Sequence, residues 1–157
     1  MAEISRILVN RFDSSIFMVE VCENEGRVFM LKKKEAYLNF PNIEKQYDAI
    51  DSCFTSKVQI AILISPSEIH LWKLREDKKQ ILRLSDKMQI LRLFTSSEEN
   101  QLIIATSDSV LKYDLKEGKV LGQFEVEKDA NIHQVVIGSE NIAFCGKNVL
   151  IVTNSDL

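Results

Sequence analysis

A repeat with a period near 40 residues restricts this chain more than any other feature. The segments Arg27 to Lys32, Glu68 to Lys73, Ser109 to Asp114 and Lys147 to Val152 can be laid on one another. With the last segment shifted by one residue, Leu31, Trp72, Tyr113 and Val152 then coincide, at intervals of 41, 41 and 39 residues. Each is preceded by a more continuously apolar segment: Ile16 to Val21, Val58 to Ile64, Gln101 to Thr106 and Asn141 to Cys145. Ahead of those lie Ile4 to Phe12, Ala49 to Phe54, Gln89 to Phe94 and Ile132 to Ile137, apolar at alternate or near-alternate positions. A further segment follows the Trp or Tyr segment, Gln80 to Leu84 or Val120 to Val126, with Ala36 to Phe40 as its weaker counterpart. All are short, and clusters such as Cys22 to Gly26, Ser96 to Asn100 and Gly138 to Asn141 separate them, so they read as strands joined by turns. A fixed period of this length marks an architecture that stacks one supersecondary unit.

Stacking explains the hydropathy of each segment. A four-stranded sheet held between two others is covered on both faces, so its middle strands need no alternation, as in Ile60-Ala61-Ile62-Leu63-Ile64 and Leu102-Ile103-Ile104-Ala105. An outer strand is partly wet and carries charge, as Lys79-Gln80-Ile81-Leu82-Arg83-Leu84 does. These properties predict an all-β fold, a segment of a WD40-like β-propeller with blades over residues 1–41, 42–84, 85–126 and 127–157. Three blades are complete and the fourth lacks its last strand. Two open flanks, each on the order of several hundred Å2 of apolar surface, are rarely tolerated by a monomer. The expectation is therefore a segment of a larger propeller, or a chain that needs a partner or self-association, ahead of a closed four-bladed ring. A rival reading places a helix over Asn42 to Phe54, where Ile43, Tyr47, Ile50 and Phe54 fall at helical spacing after Pro41. The repeat register makes Ala49 to Phe54 a strand instead and leaves Glu44 to Asp48 for a helical turn.

Composition narrows the function. Apolar residues make up 45% of the 157, enough for a sizeable core, and no apolar run approaches the roughly 20 residues of a membrane helix. Met1 to Arg6 opens no secretory signal. With 20 basic and 23 acidic residues the chain lacks the charge excess of a nucleic-acid binder. Cys22, Cys53 and Cys145 are scattered and His70 and His133 are the only histidines, so no zinc ligand set is visible. The cysteines read as reduced, small apolar residues of an intracellular protein. His70 and His133 read as packing or hydrogen-bonding residues, and Ser65-Pro66-Ser67 as a turn. No phosphate loop, nucleophile elbow or metalloprotease motif occurs. The expectation is no enzyme, with no catalytic, cofactor-binding or metal residues and no cofactor. Lys32-Lys33-Lys34 and Lys78-Lys79 have acids beside them and read as solvated connections, the latter pair also as protection of a sheet edge.

Ser107-Asp108-Ser109-Val110-Leu111-Lys112-Tyr113-Asp114-Leu115 is followed by the basic turn Lys116 to Lys119. The order continues through Gln134-Val135-Val136 to Ile142-Ala143-Phe144-Cys145-Gly146-Lys147-Asn148-Val149-Leu150-Ile151-Val152-Thr153-Asn154. This order resembles the second propeller of the coatomer alpha subunits, and Asp13 to Met18 with Arg27 to Met30 can be placed on its preceding blades. The Gly-His and Trp-Asp dipeptides of standard WD repeats are missing; Tyr113-Asp114 approximates the second, while Trp72 is followed by Lys73. No residue matches that family's cargo pocket, which lies in its first propeller, and its helical solenoid has no counterpart. The resemblance implies a non-catalytic scaffold of vesicle-coat assembly in intracellular transport, cytoplasmic and peripheral to Golgi or vesicle membranes. Its partners would be other coat subunits, with no direct nucleic-acid contact and only indirect membrane contact. The alternatives are a WD-repeat scaffold of another complex, in ribosome biogenesis or ubiquitin ligation, and a stand-alone propeller binding a small ligand in its channel.

Overall fold

The structure is a computed structural model that describes residues 4–21, 25–30, 35–39, 50–74, 76, 78–85, 87–128, 130–138, 141–147 and 149–154, with side chains described over 7–16 and in the segments from 50 onward. It is all-β, and no helix occurs among the described residues. The first sheet contains β1 (Ile4–Val9), β2 (Ile16–Val21), β3 (Glu25–Met30) and β4 (Glu35–Asn39). The second contains β5 (Asp51–Ser56), β6 (Gln59–Ser65), β7 (Glu68–Lys73) and β8 (Lys78–Arg83). The third contains β9 (Ile90–Thr95), β10 (Gln101–Thr106), β11 (Ser109–Asp114) and β12 (Lys119–Glu125). The fourth contains β13 (Gln134–Ile137), β14 (Asn141–Gly146) and β15 (Val149–Asn154). In every sheet the strands lie side by side in chain order, each antiparallel to the next. Because β5 occupies Asp51–Ser56, a helix running to Phe54 is excluded; residues 42–49 lie outside the described residues.

The cores lie between sheets, and alternation along each strand decides which core a side chain joins. In β6, Ile60, Ile62 and Ile64 pack with Phe54, Trp72 and Leu74 against Leu8 and Ile16 of the first sheet. Ala61 and Leu63 point the other way and pack with Leu102, Ile104, Leu111 and Tyr113 of the third. The same division recurs in β10, whose Ile103 and Ala105 meet Ile142 and Phe144 of the fourth. Continuous apolar runs thus form strands buried on both faces. At the outer end β14 and β15 revert to alternating burial, although their sequences are apolar on both faces.

The fourth repeat departs from the sequence alignment. Counted from the first residue of their strands (Glu68, Ser109 and Val149), Trp72, Tyr113 and Thr153 hold equivalent places, paired with Ile60, Leu102 and Ile142. Val152, the residue aligned with Trp72 by sequence, lies one position earlier and faces outward. A slip of one residue exchanges the two faces of a strand, so similar hydropathy on both faces left the register open. Leu31 lies outside the described residues.

Ile104 is fully buried in the core shared by the second and third sheets. Ile104→Ala is expected to lower unfolding free energy by about 2–5 kcal/mol in chemical denaturation. Leu121→Ala, on exposed β12, should stay within about 0.5 kcal/mol.

Candidate functional site

Polar ties collect at the ends of the strands, where apolar packing stops. At one end the turns after β1, β5 and β9 are joined. Asn10 is fully buried; its Nδ2 donates to the carbonyls of Ser56 (3.0 Å) and Lys57 (3.3 Å), and its Oδ1 accepts from the Phe12 amide (2.9 Å). Arg11 donates to the Ser96 carbonyl at 3.2 Å, reaching from the first sheet to the third. The Lys57 amide donates to Glu99 Oε1 (3.1 Å) and the Asn100 amide to the Thr55 carbonyl (2.7 Å). Asn100 adopts φ 64°, a left-handed conformation that asparagine tolerates better than most residues. The result is a tied rim on which Arg11, Lys57, Glu98 and Glu99 are exposed. Rim loops held by backbone bonds present charge in fixed positions, which suits recognition of another surface.

Between the second and third sheets, the buried Asp51 carboxylate accepts from the Leu93 amide (2.8 Å) and pairs with Arg92 Nε at 3.2 Å. A carboxylate removed from water needs such partners, and this one ties β5 to β9. Along β7 and β8, Glu68 Oε1 lies 2.7 Å from His70 Nε2, while Oε2 accepts from Arg83 at 2.9 and 2.8 Å. The His70 hydrogen bond first, then the Arg83 guanidinium, hold the Glu68 carboxyl below the usual glutamate range. Asp114 accepts from the amides of Glu117 (2.9 Å) and Lys116 (2.8 Å), closing the turn between β11 and β12. Those bonds, Glu117's first, hold its carboxyl below the usual aspartate range.

The sequence candidates are dispersed. His70 is a half-buried partner of Glu68, whereas His133 is exposed immediately before β13. Pro66 and Ser67 form the β6–β7 turn, and the Pro66 carbonyl accepts from the Ile90 amide at 2.6 Å. Cys53 is buried and Cys145 half-buried, neither in a disulfide; Cys22 and Lys32-Lys33-Lys34 lie outside the described residues. Lys78 and Lys79, expected in a connection and as protection of a sheet edge, lie in the edge strand and not in a connection. They open β8, because Lys78 and Lys79 pair with Lys73 and Trp72 and extend the outer strand toward its hairpin. Among the described residues no three His, Cys, Asp or Glu side chains are gathered as metal ligands would be, and no helix is long and apolar enough to cross a membrane. Asn10, Asp51 and Arg92 escaped the sequence reading because a lone polar residue at or within a strand carries no periodic signal.

The outer faces complete the surface. Ile7 and Val9 on β1 are 60% and 64% exposed, opposite Leu8, which packs inward. On the fourth sheet Val136, Leu150 and Val152 are 57%, 71% and 62% exposed, while Val135, Val149 and Ile151 pack against the third-sheet core. Both ends of the stack therefore present apolar side chains to solvent. Compared with known protein families and with curated proteins, the chain matches none.

Glu68 gives a pH test. A carboxyl depressed in the folded state contributes stability above its ordinary titration range and loses it as pH falls through the depressed value. Glu68→Gln should be slightly less stable than wild type at neutral pH, with a gap that closes on acidification, measured by denaturant unfolding across pH. Asn10→Ala leaves the Ser56 and Lys57 carbonyls without its amide, and a loss of about 1–3 kcal/mol is expected in the same assay.

Proposed function

We propose that the chain is a β-propeller segment acting as a non-catalytic scaffold for protein–protein contacts, most concretely a coatomer-alpha-like part of vesicle-coat assembly. The observation that carries the scaffold reading is the half-covered fourth sheet. Ile60 to Ile64 of β6 and Leu102 to Ala105 of β10 are apolar and buried at every position, whereas β15 is apolar on both faces at Val149 to Val152 yet buries only one. Leaving Leu150 and Val152 in water forgoes roughly 1.5–3 kcal/mol for each such side chain, so covering that face is favourable. A further sheet packed there, as each inner sheet is packed by its neighbours, continues the stack toward the four to eight blades of a propeller.

The tied rim supports the same reading, since its loops present exposed charges on a frame that does not depend on a bound ligand for order. The coat assignment rests on the ordered sequence resemblance through Ser107 to Leu115 and Ile142 to Asn154. In that setting partners would be other coat subunits, and contact with Golgi or vesicle membranes would pass through them.

In light scattering the isolated chain is expected to self-associate with rising concentration, and the Leu150→Glu, Val152→Glu double variant to be monomeric. A wild-type monomer at every concentration, with the double variant no different, overturns the scaffold reading. The coat assignment is tested separately by fractionation: a tagged chain should travel with coat subunits on Golgi membranes, and its absence from them sinks that assignment alone.

A further inference from the structure

The third and fourth sheets meet around an open pocket of about 380 Å3 lined by Gln89, Leu91, Ser107, Asn131 and Lys147. Its frame is backbone held by short hydrogen bonds. The Ser107 amide donates to the Gln89 carbonyl (3.1 Å), and the Lys147 amide to the Ala130 carbonyl (2.6 Å). Gly146 permits the second contact, since a Cβ there would collide with the Ala130 carbonyl oxygen. Asn131 is held at φ 47°, in the left-handed region.

Among the described residues, none of the four polar side chains has a hydrogen-bond or ion-pair partner. A second pocket, of about 250 Å3, is more basic but already neutralised in part. It contains Lys73, Lys78 and Lys79, and Glu76 lies 3.7 Å from Lys73 and 3.9 Å from Lys78. Lys147 instead combines a positive charge, unpaired among the described residues, with two amide side chains and one hydroxyl around the half-buried Leu91.

We propose that this pocket binds a glutamate side chain of a partner polypeptide, with Lys147 as counter-ion. One cation among neutral donors matches a monoanion. Asn131 Nδ2, Gln89 Nε2 and Ser107 Oγ supply the remaining donors a carboxylate accepts, and Leu91 offers apolar contact to the aliphatic stem. A phosphoryl group, with its higher charge, is matched by arginine forks or several cations, which this lining lacks. The volume, near the lower end of small-ligand sites, accommodates a side chain and its adjoining backbone. The inference goes beyond the scaffold reading, because the third and fourth sheets form the pocket without any cover on the outer flanks.

The experiment is fluorescence anisotropy with labelled Gly-Glu-Leu-Glu-Gly and its counterpart Gly-Gln-Leu-Gln-Gly, titrated with wild-type, Lys147→Gln and Lys79→Gln proteins. Wild type should bind the glutamate peptide about tenfold more tightly than the glutamine peptide, as expected for a charge-assisted hydrogen bond, and added salt should weaken it. Lys147→Gln should abolish that preference and Lys79→Gln should preserve it; Lys147 is exposed, and circular dichroism checks that the variant keeps the strand signal. No saturable binding, equal binding of both peptides, or an undiminished preference in Lys147→Gln overturns the proposal. Stronger competition by inorganic phosphate than by acetate overturns the carboxylate assignment. The Leu150→Glu, Val152→Glu variant should bind the glutamate peptide as wild type does, so failure of the scaffold reading and failure of this one are distinguishable.

Discussion

Face-to-face burial of the sheets is the constraint on which everything else rests. β6 and β10 each feed two cores from opposite faces, Ile60, Ile62 and Ile64 against Ala61 and Leu63, Leu102 and Ile104 against Ile103 and Ala105. A sheet with both faces apolar has no stable existence in water alone, so stability is shared between neighbours and resides largely in their interfaces. Removing the third sheet would uncover two cores at once. β1 of the first sheet and the strands of the fourth each bury one apolar face and expose the other, as the exposure of Ile7, Val9, Leu150 and Val152 records.

The polar ties follow from the same geometry. Apolar side chains fill the space between strands, but at strand ends the backbone must turn and its amides and carbonyls need partners. Asn10 supplies them between the first and second sheets, Asp51 between the second and third, and the Lys147–Ala130 backbone bond within the fourth. Each also fixes orientation, which apolar packing does loosely because dispersion has little directionality. Rim loops and pocket walls thereby acquire set positions. Under the scaffold reading the surface has distinct parts: apolar flanks that extend the stack, a charged rim, and a recess where a partner's carboxylate can be held.

Much of the architecture was legible in the chain because the repeat samples the same physics several times. Continuous apolar runs at Ile60 to Ile64 and Leu102 to Ala105 foretold two-sided burial, and the charges of Lys79 to Leu84 an outer strand, observed over Lys78–Arg83. Where the two faces of a strand are equally apolar that signal fails, and so the alignment missed by one residue at Thr153. The candidate surface was less legible. Arg11 bonds to Ser96 and Asp51 to Leu93 across gaps that no periodicity spans. Lys78 and Lys79 carried two readings, connection and sheet edge, because charge and turn composition overlap at a hairpin.

The order of residues alone settled strand identity, repeat length and the apolar character of both faces, since each depends on neighbours within a few positions or one period away. Which face of β14 and β15 is covered, which polar residues meet at the rims, and that Lys147 shares a recess with Gln89 and Asn131 came only with the folded arrangement. Those properties belong to side chains from different repeats, and only stacking brings such groups close enough for short-range forces to act.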